Sequence, residues 1–201
     1  MFYFNIGNLL YNLMKLIIIE GTDNTGKDTL ISKILEKYHI ATIIHCGKPY
    51  SKKYSSIEQD TLFNIYCNLI INNEFKYSNV IIMNRSHIGE YVYGTLYRNR
   101  SKNDVFNMIN NINMALNNKK DLSIYYIQLL CDSTNLLKNN EDGKSLSNGK
   151  VDKIMKESEL FKEIFEKTNI KNKKLIFVND GDKFRSREDI FNEAISFINN
   201  Q

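Results

Sequence analysis

The 201 residues contain one proline, no glycine- or serine-rich stretch, no low-complexity block and no repeat at solenoid periods. Nothing therefore marks an interdomain linker or a stacked array. At this length a single domain spanning 1–201 is the economical reading. Cysteine is scarce as well: Cys46, Cys67 and Cys131 are odd in number and far apart. None has the paired spacing of a zinc site or redox motif, so they read as reduced core thiols of a cytosolic protein. His39, His45 and His87 show no metal spacing either. The first nineteen residues are apolar, but they lack a basic leading segment and a small-residue cleavage site, and Asn5, Asn8 and Asn12 interrupt them. They fit neither a signal peptide nor a membrane span, and no membrane partner is expected. Residues 1–13 read instead as an N-terminal extension, with Met14 as a candidate start just before the first strand.

Charge is close to balanced, at a net +4 with a pI near 8.8. That suits a phosphate-bearing partner, while the absence of an extended Lys/Arg stripe disfavours nucleic acid. Hydrophobic and charged residues make up 42% and 25% of the chain, which is a globular composition. Apolar β-branched runs at Leu16 to Ile19, Ala41 to His45, Val80 to Met83, Ile124 to Leu130 and Leu175 to Val178 have the near-continuous hydrophobicity of strands covered on both faces. Helical patterns separate them at Thr29 to Tyr38, Ile57 to Asn72, His87 to Tyr97, Asp104 to Leu116, Val151 to Lys167 and Arg187 to Ile198. In the second of these, Ile57, Thr61, Phe63, Ile65, Leu69 and Ile70 are read as one apolar face. The alternation predicts an α/β fold with a five-stranded parallel sheet and helices on both faces. Asn139 to Lys150 is a polar, turn-rich interval that reads as a surface loop or a mobile lid.

One segment carries chemistry. In KLIIIEGTDNTGKDTLISKILEKY, Lys15 to Tyr38, the residues Gly21-Thr22-Asp23-Asn24-Thr25-Gly26-Lys27 satisfy G-x-x-x-x-G-K between an apolar strand and an amphipathic helix. In that setting backbone N–H groups and a helix N-terminus surround a β-phosphate and the lysine reaches the β- and γ-oxygens. Gly21, Thr22, Asn24, Thr25, Gly26, Lys27, Asp28 and Thr29 are accordingly the expected ATP-binding residues. Asp28 stands where such loops carry a hydroxyl that ligates Mg²⁺. A carboxylate is a good ligand for that ion, so strong metal dependence is expected, with Thr29 as a neighbouring hydroxyl.

Only five arginines occur, and three of them, Arg85, Arg98 and Arg100, fall in VIIMNRSHIGEYVYGTLYRNR, Val80 to Arg100. Guanidinium forks suit bidentate phosphate capture, and strand ends beside the first strand of an α/β sheet face the ligand crevice. From EGTDNTGK through NRS to the DGKS interval, the chain resembles the thymidylate kinases and their viral deoxynucleoside monophosphate kinase relatives. The resemblance implies a P-loop NTPase three-layer sandwich with a short lid, here residues 133–156. It also implies ATP and Mg²⁺ as cofactors and phosphorylation of a deoxynucleoside monophosphate, dTMP or a related pyrimidine, to the diphosphate. Lys27, Arg85 and Asp28 would be catalytic, with Asp28 on the metal. Asp23 would contact the acceptor sugar and Arg85 its phosphate, with Phe63, Glu90 and Arg98 completing the acceptor site.

Asn84 replaces the aspartate of the family's Asp-Arg pair, and Asn84-Arg85-Ser86 also looks like the Glu-Arg-Ser of deoxynucleoside kinases. The family's basic residue for transition-state charge has no arginine counterpart in the loop or lid. Lys138, Lys144, Lys150 and Lys153 are the candidates, with Arg98 or Arg100 reaching over as another route. Among Phe63, Tyr66, Tyr91, Tyr93 and Tyr97, Phe63 is the expected base platform, and Glu90 is expected to orient Arg85 or bind a substrate hydroxyl. Base readout is left open among side chains such as Gln59, Asn64 and Asn68. Competing readings are a deoxynucleoside kinase, a kinase acting on a nucleotide within DNA, and an inactive nucleotide-binding pseudokinase. The apolar surface around Ile57 to Ile71 is a candidate homodimer face, and the cytoplasm is the expected location, with the viral likeness pointing to that of a virus-infected cell.

Overall fold

The strand β1, Met14–Gly21, is the centre of the molecule because its side chains are apolar on both faces. Leu16 and Ile18 point to one side of the sheet and Ile17 and Ile19 to the other, and all four are fully buried. The structure is a computed structural model that describes residues 13–47, 49, 54–75, 77–140, 143 and 145–200. Most of the expected N-terminal extension, residues 1–12, and Lys144 lie outside the described residues.

From β1 the chain passes through α1 (Lys27–Lys37), β2 (Ala41–His45), α2 (Ser55–Ile71), β3 (Val80–Asn84), α3 (Glu90–Tyr97), α4 (Lys102–Asn117) and β4 (Leu122–Leu130). It continues through α5 (Thr134–Asn139), α6 (Val151–Lys167), β5 (Asn172–Phe177), the short strands β6 (Asn179–Asp180) and β7 (Lys183–Phe184), and α7 (Arg187–Asn199). The five long strands form one parallel sheet in the order β2-β3-β1-β4-β5. Helices α2, α3, α4 and α6 cover one face through residues such as Phe63, Val92, Ile109 and Phe161; α1 and α7 cover the other through Ile31, Ile34, Ile195 and Ile198. This is the expected α/β sandwich, and it brings the ends of the adjacent strands β1 and β3 to one edge of the sheet.

Four local readings change. The buried stripe of α2 is Ser55, Gln59, Phe63, Cys67 and Ile70, so Ile57 and Ile65, expected on the apolar face, are 67% and 49% exposed. Burial follows steps of three and four residues from Phe63, and Ile57 and Ile65 fall off that line. The helix expected from His87 opens as a 3₁₀ turn, His87–Gly89, before α3. The polar start of β5 was not legible as strand. Its Lys173 ammonium instead hydrogen-bonds the Phe165, Glu166 and Thr168 carbonyls at the end of α6, as a cation at a helix C-terminus does. The lid-like interval carries a short helix, α5, opened by the Ser133 hydroxyl, which accepts from Leu136 N–H. Cys46, Cys67 and Cys131 are free and buried, as read from their spacing.

Candidate active site

Gly21 turns the chain out of β1 with φ +145°, and a Cβ there would lie 2.1 Å from the Leu129 carbonyl oxygen of β4, so no other residue fits. Asn24 and Gly26 follow at φ +63° and +80°. Left-handed residues within a short loop turn successive N–H groups toward a common centre, and the unbonded N–H groups of α1 face the same way. The Lys27 ammonium is buried and donates to the Gly21 and Thr22 carbonyls at 3.1 and 2.6 Å, which ties the loop across its base. Burial, with Arg85 nearby, pulls its pKa down to about 8. A phosphate is the natural partner for a cation held at that cost.

Across the cleft Arg85 follows β3 with its backbone at φ +65° and its N–H bonded to the Ile19 carbonyl at 3.1 Å. Its guanidinium is paired with Asp23 and donates to the Tyr93 hydroxyl at 2.9 Å. Lys27, Asp28, Asn84, Arg85 and Asp23 all line one cleft of about 820 Å³. A narrower hollow opens beside it, sharing Asp23, Cys46, Gly47 and Arg85 and adding Phe63, Glu90 and Arg98. The fold thus gathers Asp23, Arg85, Phe63, Glu90 and Arg98 with Gln59, whereas Asn64 and Asn68, also considered for base readout, line a separate cavity. Phe63 is buried and packs edge-on to His87, with ring centroids 6.3 Å apart. Tyr93 lines the same hollow; Tyr91 and Tyr97 instead donate to Glu163 and Glu157. Ser145 and Leu146, from the lid-like interval, line the cleft and the hollow respectively.

The arginines divide differently from expectation. Glu90 is buried and receives Arg98 at 3.1 Å and Arg100 at 3.2 Å rather than Arg85, and Arg100 also forks onto Asp60 at 2.7 and 2.8 Å. A buried carboxylate draws the guanidiniums available to it, so Arg98 and Arg100 are committed to Glu90 and Asp60 and do not reach over the phosphate loop. Of the lysines considered for transition-state charge, Lys138 and Lys150 are exposed, and Lys153 sits 5.3 Å over the Tyr97 ring.

Asn84 donates to Asp28 at 2.6 Å and lies 3.2 Å from His45 Nδ1. Among the described residues no group of three or more His, Cys, Asp or Glu could hold a metal by itself. Mg²⁺ characteristically takes one or two carboxylates and completes its shell with water and substrate phosphates. Asp28 is exposed in the cleft next to the glycine-bounded loop, and a carboxylate placed so fits such an ion.

A third cavity, of about 410 Å³, lies on the far side of the loop, floored by Asn24, Thr25, Gly26 and Thr29 and bounded by Phe184 and Arg187. Sequence reading missed these outer residues. The available signal was Gly181-Asp182, a hairpin turn pair, which here joins β6 to β7 with Gly181 at φ +56°. Among the described residues no helix is long and apolar enough to cross a membrane.

No protein-family model and no curated protein sequence matches the chain. Solved structures do. The YorR protein of Bacillus subtilis, solved in complex with phosphorylated GDP, aligns with a TM-score of 0.64 at 18% identity over 91% of this chain and 95% of its own. Thymidylate kinase from Candida albicans aligns at 0.62 and 16% identity over 93% and 92% of the two chains. Thymidylate kinase from Ehrlichia chaffeensis aligns at 0.61 and 11% over 92% and 99%. With its five-stranded parallel sheet and its phosphate loop after β1, the chain has the thymidylate kinase-like P-loop kinase fold.

Proposed function

We propose that the protein is a nucleoside monophosphate kinase that transfers the γ-phosphoryl group of ATP to a deoxynucleoside monophosphate, dTMP or a related pyrimidine nucleotide. The observation that carries this reading is that Lys27, the first residue of α1, and Arg85, which follows β3 beside β1, line one cleft. One cation suits the donor phosphates and the other the acceptor phosphate. Transfer would be direct and in line, so positioning and charge do the catalytic work.

Lys27 and the start of α1 grip the donor phosphates, and Arg85 exchanges its Asp23 partner for the acceptor phosphate. Asp23, released, accepts from the acceptor sugar hydroxyl. Phe63 flanks the base in the hollow where Glu90 and Arg98 stand. The exposed Phe184 beside Arg187 is a platform for the donor base on the other side of the loop. Mg²⁺, held by Asp28 and the phosphates, would neutralise charge on the transferring group. Exposed Ile57 and Ile65 on α2 supply the face for a homodimer.

The test is ADP formation from Mg·ATP across dTMP, dUMP, dCMP, dGMP, dAMP and thymidine, with Lys27→Ala and Arg85→Ala beside the parent. Turnover of one monophosphate that both substitutions abolish supports the reading; turnover of thymidine alone turns it to a nucleoside kinase. Asp28, already bonded to Asn84, favours a second reading in which nucleotide is bound without transfer. ATP binding with no ADP from any acceptor supports that one.

A further inference from the structure

Glu20, the residue before Gly21, is fully buried, and its carboxylate bonds the turn after β3. Its Oε1 accepts three hydrogen bonds from one turn: Ser86 N–H at 2.5 Å, the Ser86 hydroxyl at 3.0 Å and Gly89 N–H at 3.1 Å. The Ser86 hydroxyl in turn accepts from Ile88 N–H at 3.1 Å. Glu20 therefore satisfies, directly or through Ser86, the N–H groups that open the segment leading into α3. Immediately before that turn is Arg85, held at φ +65° with its own N–H on Ile19. Two successive residues of β1 thus fix two successive residues after β3. A left-handed arginine persists only where its surroundings over-determine it.

The close fit extends to Gly89. Its φ of −60° is open to any residue, yet a Cβ there would come within 2.9 Å of both Glu20 oxygens. A side chain at this position would have to displace the carboxylate, with no obstacle from the backbone. The second oxygen, Oε2, is buried without a hydrogen-bond partner among the described residues, and burial raises the pKa of the carboxyl against the opposing pull of Arg85 and Lys27.

We infer that Glu20 is a positioning residue that presents Arg85 to the acceptor phosphate by clamping the Ser86 to Gly89 turn from beneath. The inference rests on the kinase reading for the identity of that phosphate; the clamp itself does not. The role is carried by the accepting oxygen. Glu20→Gln keeps an acceptor at that point, Glu20→Ala removes it, and Gly89→Ala drives the carboxylate off the turn while leaving Glu20 in place.

The experiment measures KM for the acceptor monophosphate and for ATP in the full chain and these three variants, with thermal unfolding of each. Expected are an acceptor KM within about threefold of the parent for Glu20→Gln, and a rise of about tenfold or more for Glu20→Ala and Gly89→Ala, with KM for ATP within about twofold throughout. Both KM values rising together, an unmoved acceptor KM, or Glu20→Gln as damaging as Glu20→Ala each overturn the inference. Should Glu20→Ala not fold, Gly89→Ala and Glu20→Gln decide. If the parent turns over no acceptor, the kinase reading fails separately, and amide exchange tests the clamp: the Ser86 and Ile88 amides exchange about tenfold faster in Gly89→Ala if it exists, and unchanged exchange overturns it.

Discussion

Asn84 Nδ2 lies 2.6 Å from Asp28 Oδ1, so the tip of β3 and the first turn of α1 meet through an amide and a carboxylate. The pair carries one negative charge. Asn84→Asp would place two carboxylates in contact, with mutual repulsion unless a cation lies between them. The expected outcome is a lower Tm without Mg²⁺, by about 2–4 °C per kcal/mol of repulsion for a chain of this size, recovered as Mg²⁺ is added. Asp28→Ala is expected to remove the extra stabilisation that Mg²⁺ gives over ADP alone. Thermal unfolding against Mg²⁺ concentration, with and without ADP, checks both.

Arg85 is the one arginine of the cleft whose guanidinium partners are Asp23 and Tyr93 rather than Glu90 or Asp60. Charged hydrogen bonds are worth about 1.5–3 kcal/mol each, so Arg85→Ala should lower kcat/KM for the acceptor by about ten- to a hundredfold or more. KM for ATP should hardly move. Arg85→Lys should recover little, because an ammonium cannot serve phosphate and Tyr93 with one rigid fork. Steady-state kinetics with each substrate varied separates these effects.

Phe184 is 41% exposed at the wall of the third cavity. Stacking of a base on such a ring is worth about 1–3 kcal/mol. Phe184→Ala should raise KM for ATP by about five- to a hundredfold and leave KM for the acceptor unchanged, measured in the same assay. A rise in the acceptor KM instead would place the donor base elsewhere.

Glu157 on α6 is buried, which pushes its pKa up to about 7, although the Tyr97 hydroxyl donates to it and favours the charged form; Asp23 adds to the rise. Between about 4.5 and 7 the folded chain holds this proton more tightly than the unfolded chain does. Its stabilising contribution is complete below about 4.5 and is lost as pH rises through 7. His87 acts in the opposite sense: burial lowers its pKa to about 4, although Asn113 favours the charged form, so stability rises with pH between about 4 and 6.5. Subtracting Glu157→Gln from the parent cancels His87 and isolates Glu157. Urea unfolding at pH 5, 6, 7 and 8 should show Glu157→Gln gaining on the parent as pH rises, by about 3 kcal/mol at most at pH 8.

The parallel sheet was legible because strands covered on both faces must be almost wholly apolar, as Leu16 to Ile19 and Val80 to Met83 are, and as Ile124 to Leu130 is but for Gln128 and its tyrosine hydroxyls. The edge strand β5 was legible only in its apolar half. Its Lys173 is placed by the end of α6, a neighbour that no periodicity encodes. The phosphate loop was legible because its backbone demands glycine and its ammonium demands lysine within seven residues of one another. Arg85 was legible through the rarity of arginine.

The division of labour among the arginines was decided only in three dimensions. Arg98 and Arg100 stand in the same sequence cluster as Arg85, but Glu90 and Asp60 claim them, because Asp60 comes from α2, forty residues away, and packing sets which carboxylate is within reach. The same holds for Phe184, carried to the loop by a two-residue hairpin turn, and for Glu20, which meets Ser86 and Gly89 because β1 and β3 are neighbours in the sheet. By itself the sequence determined the residues whose backbone or charge requirement is local: the glycines of the loop, its lysine, and the apolar strands. Tertiary structure decided the pairings, since a hydrogen bond or ion pair depends on approach to about 3 Å, and only the order of strands in the sheet brings such distant residues that close.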